Sequence, residues 1–538
     1  MLWMLFAAHL LNNVYILKVD NTPFIFDSYG YFCRGVEIFR WLHSCFKEPF
    51  NPVTTMTPLF PFSSALCYCL FGVGQDTACY ANAVFLFILL YAVYKVGEYM
   101  GNGATGLLAA FIVSTYPVVM AFSRHCMPEF SLMAMVSLTL YALTTTEFFT
   151  RIRASLFLGL VIGGGLLTKM TYPGFVIGPI LYFFFGGILM HREKTPRIIR
   201  NFLLALLIAV LVSFFWYKTN FMAQVFRYQS DRGIPYDIHG FRLDERTLYY
   251  LFALHNSQMW WPYYILFLIA LGIMLLKGPE KLIFPGAAVL VPYLIFSSLE
   301  IKNGRHIIAY LPGFAVITAW GLQHLFANRA AHRVLMTCVV ALGIGQAVFI
   351  SYCPQAQRFI DAGAFDSNST FVEDPYGANE FRIHQTFNMG LWRPNRNSWG
   401  AERMLSLIKE DTSYGKKTIK IGLVNASARV FFALHIKKEI ERPPIEIQAF
   451  YTEHTRDLGL NDTKKFFLNR ETAGDLDYLG VFTYKTDPSQ PPDAEDLVCQ
   501  INSSAWSDIL TLIDSFSLPE DTVAYFYKNV DPRREKDL

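Results

Sequence analysis

Three observations predict a mainly α, polytopic membrane fold with a small α/β domain at its C-terminal end. Hydrophobic residues make up 53% of the 538 and charged residues only 17%, where a soluble chain carries about 25% charged. Apolar runs of about 17 to 22 residues, the length that crosses the hydrocarbon of a bilayer, recur as far as Ile350. Beyond Ile350 these runs stop, and polar punctuation and short β-type stretches replace them. The change divides the chain into a transmembrane domain, 1–350, and a soluble domain, 351–538.

The apolar runs lie at 1–17, 77–97, 104–121, 129–148, 154–170, 174–190, 201–217, 261–276, 282–299, 306–322 and 334–350, which amounts to about 11 transmembrane helices. The first has neither the basic n-region nor the small-residue cleavage site of a signal peptide, so it reads as a retained span. Basic residues fall in alternate connections: Arg151 and Arg153, then Arg192, Lys194, Arg197 and Arg200, then Lys277 and Lys281, then Arg329 and Arg333. The positive-inside rule makes those connections cytoplasmic. The loops holding Asp27, Arg124, Lys169, the 218–260 segment and Lys302–Arg305, and everything after Ile350, then lie outside.

The run Thr57 to Gly72 carries Pro58 and Pro61 at its start and polar residues within it. It reads as a helix lying in or dipping into the outer interface, because counting it as a span would invert every basic loop. The first external loop therefore extends from Lys18 to Asp76, with helices expected over Tyr29–Phe46 and Pro58–Phe71. The 218–260 loop is long and charged, carrying Arg227, Asp231, Arg232, Asp237, His239, Arg242, Asp244, Glu245 and Arg246. It leads into Trp260-Trp261-Pro262-Tyr263-Tyr264, an aromatic belt suited to the interface.

After Ile350, 366–397 reads as loops and a linker. Ala401–Lys409 and Ser507–Phe516 read as helices, and Thr418–Val424, Ile445–Tyr451, Tyr478–Tyr484 and Thr522–Tyr527 as strands. Strands alternating with helices point to an α/β domain. It contains no glycine-rich phosphate loop, catalytic triad or metal spacing. Asn-x-Ser/Thr matches stand at Asn368, Asn425, Asn461 and Asn502.

A net charge of +3 without a basic stripe excludes a nucleic-acid partner. The cysteines are scattered without CxxC spacing, and Cys67-x-Cys69 reads as small apolar filler. No internal repeat is evident.

On this topology four charged features share the external face. They are Asp27 in Phe24-Ile25-Phe26-Asp27-Ser28-Tyr29-Gly30-Tyr31, the Arg124-His125-Cys126-Met127-Pro128-Glu129 turn, Lys169, and Lys302-Asn303-Gly304-Arg305-His306. Each has a structural explanation when taken alone. Pro128 and Glu129 suit the first turn of a helix, Lys169 can snorkel from a short span, and Lys302 and Arg305 can decorate a polar hairpin. Together they run against the depletion of cations from short external loops. Arg and Lys at a lipid face suit a phosphate, and a carboxylate beside them suits a general base.

In these stretches the chain resembles the GT-C class of membrane glycosyltransferases, close to the bacterial protein O-mannosyltransferase and aminoarabinose-transferase-like group. The resemblance rests on FIFDSYGY after the first span, TPLFPFSSALCYCLFG, ATGLLAAFIVSTYPVVMAFSRHCMPEF, LGLVIGGGLLTKMTYP and IKNGRHIIAYLPGFAVITAWGL, and it covers residues 1–350. It implies transfer of a monosaccharide from a polyprenyl-phosphate donor to a hydroxyl of an extracytoplasmic protein, lipid or glycan, with inversion, at a bacterial inner membrane. No metal and no cofactor beyond that lipid-linked donor is expected. Asp27 matches the catalytic first-loop aspartate. Arg305 with Lys302 would hold the phosphate, Arg124 would share it, and Glu129 would orient the acceptor or Arg124. Lys169 and His306 complete the expected substrate-binding set. Three departures are visible: Ser28 follows Asp27 where an acidic pair is common, Glu129 replaces an aspartate, and His306 replaces a tyrosine. The rival readings are a lipid or glycolipid flippase, for which repeated halves are the usual sign, and a scaffold presenting 351–538.

Overall fold

The computed structural model describes the chain except residues 25, 231–244, 300–302, 354–397, 411–417, 425, 427, 451–474, 485–497, 499–500, 503–508, 519–521 and 531–538. The chain forms two compact units. One comprises Met1–Leu17 and Arg34–Arg393, the other Lys18–Cys33 and Pro394–Leu538.

Sixteen helices precede the C-terminal domain among the described residues: α1 (Leu2–Val19), α2 (Phe26–His43), α3 (Leu59–Phe71), α4 (Gln75–Tyr80), α5 (Asn82–Met100), α6 (Gly103–Thr115), α7 (Pro117–Phe122), α8 (Pro128–Thr145), α9 (Ile152–Leu166), α10 (Pro173–Met190), α11 (Thr195–Ser230), α12 (Glu245–Ala253), α13 (Trp261–Lys277), α14 (Pro279–Ser297), α15 (Leu311–Gln323) and α16 (Arg329–Tyr352). Among the described residues six helical stretches are long and apolar enough to cross a membrane: Leu2–Val19, Gln75–Met100, Pro173–Met190, Arg192–Met222, Pro279–Ser297 and Arg329–Phe349. Leu59–Phe71, Gly103–Thr115, Ile152–Leu166 and Trp261–Lys277 are shorter apolar helices.

α8 is the hub of this unit. It packs against α5, α9 and α10, and nearly all of its side chains are buried, including Ser131, Ser137 and Thr139. A helix that faces protein on every side needs less apolar surface than one facing lipid. Its hydroxyls bond back to carbonyls of the preceding turn, as Ser137 Oγ does to Met133 O at 2.8 Å. Close approach of α5 and α6 requires glycine, because a Cβ on Gly106 would stand 2.3 Å from the Tyr94 carbonyl oxygen.

The helices depart from the expected runs where local chemistry intervenes. The run expected over 104–121 breaks at Tyr116, which is extended (ψ 133°) ahead of Pro117 at the start of α7, as the residue before proline prefers. The helix expected to end at 217 continues to Ser230. No proline or glycine interrupts it before Gly233 and Pro235. The charged residues from Asp231 to Asp244 lie outside the described residues.

In the second unit a five-stranded sheet has the order β2-β1-β3-β5-β4, with β1 (Ile419–Val424), β2 (Ile445–Phe450), β3 (Tyr478–Tyr484), β4 (Leu510–Ser517) and β5 (Thr522–Asn529). β1 is parallel to both β2 and β3, while β3–β5 and β5–β4 are antiparallel. Helices α17 (Ala401–Lys409) and α18 (Ala428–Glu441) contribute Met404, Leu405, Ile408, Val430 and Leu434 to a core with Ile419, Ile421 and Phe526. Val424, Leu479, Val481, Leu510 and Tyr527 belong to a second core cluster. The helix expected over Ser507–Phe516 is a correction: Leu510–Ser517 is a strand. Its backbone pairs with β5 from Leu510↔Asn529 to Ser517↔Val523. That long-range pairing overrides the local helical reading.

Candidate active site

The site in the helical unit is assembled around Glu129. Met127 is extended (ψ 151°) and Pro128 takes the first helical position of α8, so Glu129 falls in the first turn, where the helix dipole favours a carboxylate. The residue is 1% exposed. Its Oε1 accepts a hydrogen bond from Lys169 Nζ at 2.8 Å, and Arg305 Nε lies 3.8 Å from the same oxygen. Its Oε2 has no hydrogen-bond partner among the described residues. Arg305 Nη1 also reaches Met127 Sδ at 3.7 Å.

Each cation is delivered by a turn of unusual construction. Lys169 stands between α9 and α10. There a Cβ on Gly165 would meet the Tyr172 ring at 2.2 Å, so only glycine lets that ring lie against the end of α9. The Tyr172 hydroxyl is 2.6 Å from Thr139 Oγ1 on α8, which ties the turn to the helix that bears Glu129. Leu167 O accepts from Leu59 N at 3.0 Å and Thr168 O from Thr57 Oγ1 at 2.5 Å. The start of α3 is thereby fastened to the same turn.

Arg305 lies on a 3-10 stretch, Gly304–Tyr310, capped by Asn303, whose Oδ1 accepts from Arg305 N at 3.0 Å. A 3-10 run of this length is uncommon and marks a functional or strained segment. Buried Gln258 holds it at both ends, donating from Nε2 to Gly304 O at 2.7 Å and accepting from the Tyr310 hydroxyl at 2.7 Å. Gln258 itself ends a π-helical turn, Leu254–Gln258, followed by Trp260 at φ 72°. A bulky residue in that region stores strain of the kind that gathers at functional sites.

Among the described residues the cluster holds two cations and one anion. Lys169 and Arg305 retain 21% and 15% side-chain exposure, against 2% for Glu129. The surplus positive charge is therefore the part a ligand can reach, and it suits an oxyanion. In the turn beside it, burial pulls the His125 imidazole down to about 4 from its ordinary 6.5, against the opposing effect of Glu129 and with a smaller push from Arg305. His125 is neutral at physiological pH.

The remaining expected residues sit as follows. Arg124 is buried and directs Nε to Asn13 Oδ1 on α1 at 2.9 Å and Nη2 to Ser351 Oγ on α16 at 3.0 Å. It joins the first and last described helices of the unit, with Asn13 Nδ2 donating to Ser123 Oγ at 3.0 Å. Among the described contacts Glu129 meets Lys169 and Arg305. His306 is half-buried on the 3-10 stretch. Lys302 lies outside the described residues. Asp27 occupies the first turn of α2, belongs to the other unit and is exposed. Sequence reasoning missed Gln258, Tyr172, Asn13 and Ser351. The triple glycine at 163–165 was the one local sign that something packs closely beside Lys169.

Residues 53–217 match the family described as dolichyl-phosphate-mannose-protein mannosyltransferase. The chain is 26% identical over 266 residues to an uncharacterised protein of Aquifex aeolicus, a match over 49% of this chain and 52% of that one. It thus spans about half the length of that curated relative. In three dimensions 97% of the chain superposes on 97% of ArnT from Cupriavidus metallidurans. The TM-score is 0.58 for the apo structure and 0.61 for the structure bound to undecaprenyl phosphate, each at 13% identity. The fold is that of ArnT. Its apolar helices make the chain an integral membrane protein. Within this fold the Lys169 turn and Glu129 fall inside the matched 53–217 segment, while Asp27 and Arg305 lie beyond it.

Proposed function

We propose that this protein is a membrane glycosyltransferase that moves a monosaccharide from a polyprenyl-phosphate carrier to a hydroxyl on the extracytoplasmic side of a bacterial inner membrane. The observation that carries the proposal is the buried Glu129 carboxylate with Lys169 at 2.8 Å and Arg305 at 3.8 Å. It holds two partly exposed cations in place and leaves an excess of positive charge for a phosphate. The likeness to a fold solved with undecaprenyl phosphate supports that choice of anion.

In the proposed reaction Asp27 takes the proton of the acceptor hydroxyl while that oxygen attacks the anomeric carbon. The bond from the anomeric carbon to the phosphate oxygen breaks, and the phosphate leaves with the electron pair. One displacement gives inversion. Arg305 and Lys169, with Lys302, hold the phosphate and neutralise the charge that grows on it, an electrostatic contribution strongest in a water-poor site. Arg124, with its two buried hydrogen bonds, braces this region, and His306 lines the approach to the phosphate. The donor brings its own leaving group, so the residues assigned here need no cofactor.

Comparing envelope glycans, lipids and proteins by mass spectrometry, with and without the gene, should reveal one missing monosaccharide. Asp27→Asn should abolish the modification while undecaprenyl phosphate still raises the Tm of the purified protein. Arg305→Ala should remove that Tm shift. Wild-type modification by Asp27→Asn would remove Asp27 from the mechanism. Loss of a lipid from the outer leaflet without loss of any sugar linkage would point to a flippase.

A further inference from the structure

The stretch Lys18–Cys33, which carries Asp27, belongs to the compact unit formed by the C-terminal domain. Thr22 N and Oγ1 both donate to Asp20 Oδ1, at 3.0 and 2.6 Å, turning the chain before α2. Around Asp27 the side chains alternate in fate. Phe24, Ser28 and Phe32 are buried, at i, i+4 spacing, and Phe24 and Phe32 meet at 6.0 Å between ring centroids. Tyr29 packs on α18 of the sheet domain, with its ring 5.1 Å from Phe432 and edge-on to His435 at 6.2 Å. His435 is itself held in place: its ring lies 4.1 Å from Phe431 and its Nδ1 is 3.0 Å from the Phe431 carbonyl oxygen. Phe432 is only 6% exposed. Asp27, between these anchors, is exposed.

We propose that the C-terminal sheet domain is a positioning element for the base, with Phe432 and His435 of α18 clamping the Tyr29 ring so that the first turn of α2 presents Asp27 in one fixed orientation. This rests on the reading of Asp27 as the base. A first-turn carboxylate moves with the helical turn that carries it, and each displacement from the productive geometry lowers the rate. Anchoring the neighbouring residues to a rigid helix restricts that movement. Phe432 and His435 are therefore positioning residues, and they contact no reacting atom.

Amide hydrogen exchange on the full-length protein in lipid nanodiscs tests the clamp directly. Phe432→Ala should speed exchange over 26–33 by about tenfold, the effect of losing one aromatic contact, with exchange in α8 unchanged. Cells carrying Phe432→Ala at wild-type protein level should make severalfold less of the sugar-modified product, while undecaprenyl phosphate binding to the purified variant is unchanged. Phe432→Tyr, which keeps the ring, should restore both readouts. Should Phe432→Ala fold poorly, Tyr29→Ala opens the same contact from the other side. Unchanged exchange over 26–33 overturns the clamp. Faster exchange with undiminished product overturns the positioning role. Retained product in Asp27→Asn would instead sink the base assignment, leaving the exchange result standing.

Discussion

A carboxylate that is 1% exposed stays ionised only where cations hold it, and Glu129 has two. Breaking such a cluster costs more than its net contribution, because the partly exposed Lys169 and Arg305 are left without their counter-ion. Glu129→Ala should therefore destabilise the protein by about 1–3 kcal/mol, read as a fall in Tm in detergent. Glu129→Gln, which keeps an acceptor for Lys169, should fall less. Equal Tm values for wild type and Glu129→Ala would show that the cluster contributes nothing to stability. His125 supplies a pH signature. Its folded pKa of about 4 lies below its ordinary 6.5, so the unfolded chain binds a proton that the native protein refuses. Stability should be level above about pH 6.5 and fall as pH drops from there towards about 4. His125→Gln should flatten that part of the Tm-against-pH curve, and an unaltered slope would assign the acid sensitivity elsewhere.

At the scale of elements, the cations are placed by turns that ordinary helices cannot make. The Lys169 turn depends on Gly165 lying flat against the Tyr172 ring, with a notional Cβ 2.2 Å away. Gly165→Ala should push that ring out and cost about 1–3 kcal/mol as overpacking, and it should lower undecaprenyl phosphate affinity as Lys169 shifts. Thr139→Val, which removes only the hydroxyl that meets Tyr172 at 2.6 Å, should reproduce part of the affinity loss with a smaller Tm change. If Gly165→Ala binds the lipid phosphate as wild type does, the Lys169 turn is not part of the phosphate site. The Arg305 segment obeys the same logic through Gln258, which bonds the 3-10 stretch at Gly304 and at Tyr310. Neither arrangement is legible from hydropathy, since both depend on contacts between turns distant in sequence.

For the whole molecule, the alternation of basic connections predicts which side each loop faces. A membrane-impermeant thiol reagent should label a cysteine introduced at Thr195 only in broken cells, and one introduced at Glu402 in intact spheroplasts, in a background lacking the native cysteines. The opposite pattern would place the proposed sugar transfer on the cytoplasmic face. Much of the architecture was readable before any coordinates. Helices stand at the expected runs, α2 and α3 at the two helices expected in the first external loop, and α17 on the residues expected for it. Apolar run length and proline or glycine punctuation carry those signals locally. The β4 strand was misread because its partner, β5, decides its backbone.

By itself the sequence determined that the chain enters a membrane, that its last part is a sheet domain, and that a few charged residues recur in short loops between apolar runs. These are properties of local composition and period, and the chain's nearest neighbours settle them. Only the tertiary structure decided which charges meet. It put Glu129 with Lys169 and Arg305, gave Arg124 to Asn13 and Ser351, and grouped Lys18–Cys33 with the C-terminal domain. The physical reason is that a buried charge must find its partner within a few ångströms in space, and spacing along the chain does not encode that distance.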